Sequence, residues 1–308
     1  KIEDLIGDLS ITNLNYTNSN INTSFDKFDA QLRYNIDIRI VNLNSSDAIS
    51  GIIIGEYDIL NLKNIFLNSV GSHYSNYKLN KDIDFKNISF NINIKPKLAS
   101  IIDNKLELDQ STFLSGDFKS NGDYEIGVKS NYINYDDIRS ENIDLKYSNN
   151  GGSLTVKKLK SSFIEGTELL INSNFVQDTL FVDSNYLTFS NNKNKLNFYH
   201  TINENNNSVF GFINLDLIFN KKDWSLEKNT KPKLIFDYNL KEYNAHDISF
   251  INNNQKIKID ISNLENQSNY NLLFSDVNLN SFTNENSSIV FDGVIDGRVS
   301  FLKKNEIY

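Results

Sequence analysis

Apolar and polar positions alternate along most of this chain, and the clearest case lies near its end. From Ile289 the apolar residues Ile289, Phe291, Ile295, Val299 and Phe301 fall on alternate positions, with Asp292, Asp296, Arg298 and Ser300 between them. That is the period of a strand with one apolar and one wet face. Gly293 and Gly297 interrupt the apolar side and read as points where the ribbon bends. Two Asp-Gly hairpin turns are the alternative, but too few residues separate them to make a strand. Upstream, Tyr270, Leu272 and Phe274 alternate and then give way to Val277, Leu279 and Phe282, the spacing of a short amphipathic turn.

Similar runs fill the chain. Leu9 to Tyr16 alternates, followed by a turn at Asn18 to Asn20; Leu32, Tyr34, Ile36, Ile38 and Ile40 alternate against polar neighbours; Ser46 to Tyr57 makes a strand around Gly51 and Gly55. Residues 60–77 break the period, with Leu62, Ile65, Phe66, Ser69 and Val70 three or four apart, and predict a helical insertion. Strand spacing resumes with Phe85, Ile88, Phe90, Ile92 and Ile94 and stops at Pro96, before an apolar connector from Leu98 to Ile102. Further strands follow, divided by Asn-rich turns at Asn121-Gly122, Asn149–Gly152, Asn191–Asn194 and Asn203–Asn207. They include Ile213 to Phe219 in steps of two, Leu234 to Leu240 through Phe236 and Tyr238, Ile248 with Phe250, and Ile257 to Ile261. No constant repeat length links them.

These runs predict an all-β chain, a long curved antiparallel sheet with a few short helices and one apolar face. With no linker composition and no block of like charge, residues 1–308 read as one continuous segment. The sheet either closes around a filled core or stays open as a trough.

Composition agrees with strands. There are 21 Phe and 15 Tyr, abundant Ile, little Ala, and only 2 Pro to interrupt long elements. The net charge of -8, with charges of both signs scattered, lacks the basic face a nucleic-acid binder needs. The absence of Cys removes disulfides and thiolate chemistry. No run approaches the ~20 apolar residues that span a bilayer. No Met occurs and Lys1 comes first, as expected of a processed chain or an interior piece.

Catalytic signals are few. His73, His200 and His246 are far apart and read as partly exposed surface residues, and no zinc-ligand spacing occurs. A calcium loop beginning at Asp117 fails because Lys119 and Val128 hold ligand positions. The pairs Asp136-Asp137 and Asp292/Asp296 read as solvated carboxylates. No enzyme and no cofactor is expected, and surface is what remains: a stripe of Ile, Phe, Tyr and Leu able to bind apolar matter.

The segment Tyr270–Leu302, with Leu279 and Phe282 before Gly293 and Gly297, resembles the recurring unit of TamB-type translocation and assembly module proteins in the AsmA-like group. The stretch carrying Asp47, Gly51, Gly55 and Leu60 resembles it too, as does IKIDISNL after FINNNQ. The resemblance covers the chain as an interior piece, without the family's membrane anchor or carboxy-terminal domain. It implies a sheet rolled into an open trough, the β-taco, in a periplasmic bridge anchored in the inner membrane. It further implies passage of phospholipids between the membranes, or help with outer-membrane protein assembly alongside an Omp85-type barrel. The residues expected to line the groove, in contact with phospholipid acyl chains, are Ile36, Ile38, Ile40, Phe90, Ile92, Leu215, Leu217, Phe236, Tyr238, Ile259, Ile261, Phe291 and Ile295. Two other readings of the same pattern are an outer-membrane β-barrel with its apolar face outward and a secreted, adhesin-like structural β protein.

Overall fold

The computed structural model describes residues 6–17, 21–58, 61–79, 86–161, 165–188, 191–219, 222–237, 242–264, 267–281 and 292–304. Tyr238, Phe291 and the turn at Asn18 to Asn20 lie outside them. Among the described residues the chain is all-β, with twenty strands in an antiparallel sheet and two α-helices. It divides into two compact units: unit 1 is Lys1–His73 with Lys78–Asn172, and unit 2 is Tyr74–Tyr77 with Ser173–Tyr308. The division falls inside a strand, which explains why no linker composition marks it.

Unit 1 opens with β1 (Gly7–Thr17), β2 (Asn22–Asn35), β3 (Ile38–Ser45) and β4 (Ile49–Gly55), then α1 (Leu62–Gly71) and β5 (Ile88–Ile94). It continues with α2 (Pro96–Ile102), β6 (Leu106–Leu108), β7 (Thr112–Phe118), β8 (Tyr124–Tyr135), β9 (Ile138–Ser148), β10 (Gly151–Lys160) and the first part of β11 (Glu165–Val176). Unit 2 takes the rest of β11, then β12 (Thr179–Thr188), β13 (Lys193–Ile202), β14 (Ser208–Phe219), β15 (Lys222–Leu226) and β16 (Lys233–Asp237). It ends with β17 (Glu242–Asn252), β18 (Gln255–Leu264), β19 (Gln267–Asn278) and β20 (Val294–Lys304), with a 3-10 turn at Leu279–Ser281 before β20.

Both units are meanders. In unit 1 β1 to β5 pair in sequence, β7 takes the place beside β5, and β7 to β10 follow in order, with short β6 on β8. In unit 2 β12, β13 and β14 pair in order, β15 and β16 lie end to end between β14 and β17, and β17 to β20 continue the ladder. The run predicted as one strand through Leu32 and Ile40 is a hairpin. Tyr34 pairs with Arg39 and Asn35 with Ile38, leaving Ile36 and Asp37 as a two-residue turn in which Ile36 has φ +58° and is 90% exposed. Nothing in the alternation betrays that turn, because an isoleucine stands where Asn or Gly is usual.

Strands also change phase internally. Asn13, Asn142, Glu168, Asp247 and Asp276 all sit within strands at φ 53–55°, and each precedes an aliphatic residue: Leu14, Ile143, Leu169, Ile248 or Val277. Asn and Asp tolerate this left-handed conformation better than other side chains. At Asp247 and Asp276 the apolar spacing is three rather than two, Ala245 to Ile248 and Phe274 to Val277, and register shifts mark both sites, whereas pairing register is constant past Asn13 and Asn142. Such bulges bend and twist a strand. In the second, the carboxylate of Asp296 accepts the Asp276 N–H at 2.8 Å. An aspartate plays a similar part in unit 1, where Asp47 accepts the Asp26 N–H at 3.2 Å and receives Lys97 Nζ at 2.6 Å. Burial raises the Asp47 pKa, but the Lys97, Asp26 and Ser45 hydrogen bonds outweigh it and hold the carboxyl below its ordinary range.

Gly51 shows why this sheet needs glycine at particular points. Its φ is +144°, and a Cβ there would stand 2.1 Å from the Asn91 carbonyl oxygen on the neighbouring strand. Gly297, also on an apolar face, has φ +149° with open space around it, so conformation alone selects glycine.

Candidate apolar binding faces

Following partners across the strands fixes which side chains share a face, since directly opposed residues project to the same side. In unit 1 one row runs Leu32, Val41, Ile53, Phe90, Gly116, Ile126, Tyr147 and Gly152. The next runs Ala30, Leu43, Gly51, Ile92, Leu114, Val128, Leu145 and Leu154. Aromatic rings lie over two of the glycines: a Cβ at Gly116 would meet the Phe90 ring at 2.4 Å, and one at Gly152 would meet Tyr147 Cδ2 at 2.8 Å.

Beside the first row, at one set of strand ends, lies a filled core. Tyr57, Ile65, Ile88, Phe118 and Tyr124 are buried together, with Leu62 and Val70 of α1 packed against them. Phe118 stacks with Tyr124 at 6.0 Å and with Phe90 at 6.2 Å. Burial pushes the Tyr57 hydroxyl up to about 12, against the opposing charge of Arg39, whose guanidinium lies 5.5 Å from the ring. At the other strand ends α2 starts on Pro96, whose missing N–H costs nothing at that position. Ala99 is buried, and the α2 residue Lys97 binds both Asp47 and the Ser24 carbonyl. Between the two helices the rows stay half-buried: Ile53, Phe90, Ile92, Leu114, Ile126, Val128, Leu145 and Leu154 all keep part of their surface in solvent.

Unit 2 repeats the arrangement with more aromatic rings. A row runs Leu180, His200, Phe210, Leu234, Ala245, Ile261, Tyr270 and Phe301. Beside it Ile248, Ile259, Leu272 and Val299 line up, then Leu226, Phe250, Ile257, Phe274 and Gly297. Trp224, Leu215, Ile248 and Val277 are buried, while Phe198, Phe210, Phe212, Phe236, Ile257, Ile259 and Ile261 are half-buried. His200 sits in this face with Phe210 4.7 Å from its ring; Nδ1 bonds Tyr74 Oη at 2.7 Å and Nε2 bonds Ser208 Oγ at 3.0 Å. Burial holds its pKa below the ordinary value. Rather than lying loose on the surface, His200 is a packed residue, and so is His73, whose ring lies 5.7 Å from Tyr124.

The predicted groove residues divide accordingly. Phe90 and Ile92 stand in the rows of unit 1, and Leu215, Leu217, Phe236, Ile259, Ile261 and Ile295 share the apolar face of unit 2. Ile38 and Ile40 do not join Phe90 and Ile92. The two-residue turn shifts the phase of β3, so Arg39, Val41 and Leu43 face the rows while Ile38 and Ile40 point to the other side with Ile54. Ile36 is the exposed turn residue described above. Sequence reading missed Ile53, Leu114, Val128 and Leu145 in unit 1 and Phe198, Phe210, Phe212 and Leu234 in unit 2. The three-residue step after Asn or Asp was the usable signal for phase changes. In β14 the phase changes instead at a bulge opposite Asn197 and Phe198, where Ile213 is the extra residue and is 56% exposed.

Chemically these faces offer contact area and little else. Among the described residues no group of three His, Asp or Glu is placed to hold a metal ion, and no helix is long and apolar enough to cross a membrane. No family model, curated protein or solved structure matches the chain.

Proposed function

We propose that the apolar faces hold the acyl chains of phospholipids, which slide along a trough while their head groups remain in water. The observation that carries this reading is the unbroken cross-strand rows whose middle residues are half-buried instead of packed away. Each methylene withdrawn from water contributes ~0.8 kcal/mol, so about ten of them outweigh the ordering cost of a mobile chain without any specific pocket. The resemblance to TamB-type proteins supplies the setting: a periplasmic segment of a bridge anchored in the inner membrane, passing lipid toward the outer membrane or assisting an Omp85-type barrel in protein assembly. No catalytic role is proposed.

Purification without detergent, followed by mass spectrometry of bound lipid and labelling with a photoreactive acyl probe, tests the proposal. Bound phospholipid is expected, and Ile259→Asp should reduce labelling by about tenfold, the effect of a charge in an apolar contact. Ile38→Asp, on the side of unit 1 away from its own apolar rows, should label like the parent. Absence of lipid, or equal labelling of all three proteins, would sink the proposal, and a chain that disperses only in detergent would favour the barrel.

A further inference from the structure

The polar side of unit 1 carries a cavity that acyl binding does not use. A half-open hollow of about 580 Å³, it lies across β5, β7, β8, β9 and β10, lined by the polar side chains of these strands and bordered by Phe90, Ile126, Leu145 and Tyr147 of the apolar rows. That volume is in the range of sites for small ligands. Its middle row is Asn91, Ser115, Gly127, Lys146 and Ser153. Small side chains and one glycine lower the floor here; a Cβ at Gly127 would stand 2.6 Å from Ser115 Oγ. One bank is Phe113, Lys129 and Asp144, directly opposed in register, with the Phe113 ring 39% exposed. The other bank sets Asp117 directly opposite Glu125.

One feature of this cavity is unsatisfied. Like charges facing each other on adjacent strands repel, and among the described residues neither Asp117 nor Glu125 has a hydrogen bond or ion pair to relieve that repulsion. Asp144, its side chain 42% exposed, sets Oδ2 3.6 Å from Lys129 Nζ. Ligand hydroxyls would donate to the exposed Asp117 and Glu125 carboxylates. The lining mixes signs, three carboxylates against Lys129 and Lys146, so any strongly charged ligand meets groups of its own sign. Hydroxyl groups meet no such conflict, because carboxylates accept from them and ammonium and amide groups donate to them. The exposed Phe113 ring offers an apolar platform for the C–H face of a sugar ring.

We propose that this cavity binds a neutral, polyhydroxylated ligand, a short glycan. Calorimetric and NMR titration of the whole chain with trisaccharides of glucose, mannose and N-acetylglucosamine tests it, with spermidine and inorganic phosphate as charged probes. Binding of a trisaccharide is expected, weakened by about tenfold in each of Phe113→Ala and Glu125→Gln, the loss expected for one charge-assisted hydrogen bond or one stacking platform. Both side chains are exposed, so the circular dichroism of the variants should match the parent. No saccharide binding, binding unchanged in both variants, or binding of spermidine or phosphate alone would overturn the proposal. Acyl-probe labelling of the same samples reads the other face, so the two proposals fail separately.

Discussion

Unit 1 and unit 2 solve the same problem, one apolar face on an antiparallel meander, with different means. In unit 1 helices stand at the two sets of strand ends, beside the rows, and α1 completes a core in which Ile65 is 1% exposed. In unit 2 the described residues supply only a 3-10 turn, and burial there comes from large side chains crossing the face, Trp224 and Val277 among them. The difference teaches that a helix inserted between two strands buys local stability beside a row, while rows left to the sheet alone keep side chains accessible. By this account unit 1 owes its stability to a few fully buried residues, and unit 2 spreads it over many half-buried ones.

The strongest way to break the comparison is at Gly51. Replacement by Val forces a Cβ onto the Asn91 carbonyl and a branched side chain into φ +144°, and the combined strain should cost about 3 kcal/mol or more. Urea unfolding followed by far-UV circular dichroism would reveal it; an unchanged midpoint would mean the strands at this point are not held as described. Next in size, Ile65→Ala should cost about 2–4 kcal/mol, as a large-to-small change in a filled core. Ile259→Ala, half-buried on the apolar face of unit 2, should cost about 1 kcal/mol, and equal losses would erase the contrast between the units.

The smallest effect is set by pH. Burial lowers the His200 pKa below the ordinary 6.5, so the unfolded chain takes up a proton before the folded one does. Stability from this residue is therefore complete above pH 6.5 and declines as pH falls below it, levelling off once the folded-state pKa is passed. The fluorescence of Trp224, the sole tryptophan, reports on unit 2. Its urea midpoint should drop between about pH 7.5 and pH 5.5, the span in which histidine titrates, and His200→Gln should flatten that drop.

The strand-rich class and the helix after β4 were legible in the chain, because the apolar period acts over neighbouring residues; the stretch after Pro96, read as an apolar connector, is the helix α2. Face assignment was legible only where a strand ran without a bulge. Leu215 and Leu217 share a face, as do Ile259 and Ile261, while Ile38 and Ile40, expected beside Phe90 and Ile92, lie on the other side. The alternation from Leu32 to Ile40 continued straight through a hairpin turn, and a period of two carries no record of chain reversal when the turn itself contains an apolar residue.

What the sequence determined by itself was the kind of element at each stretch and that one side of it is apolar. Local propensity and the two-residue period require nothing from distant parts of the chain. Only the tertiary structure decided which residues share a face, which glycines sit against a neighbouring backbone, and that Asp117 confronts Glu125 across a cavity. Those depend on register, and register is set by turns and bulges whose consequences appear one strand away in space and many residues away in sequence.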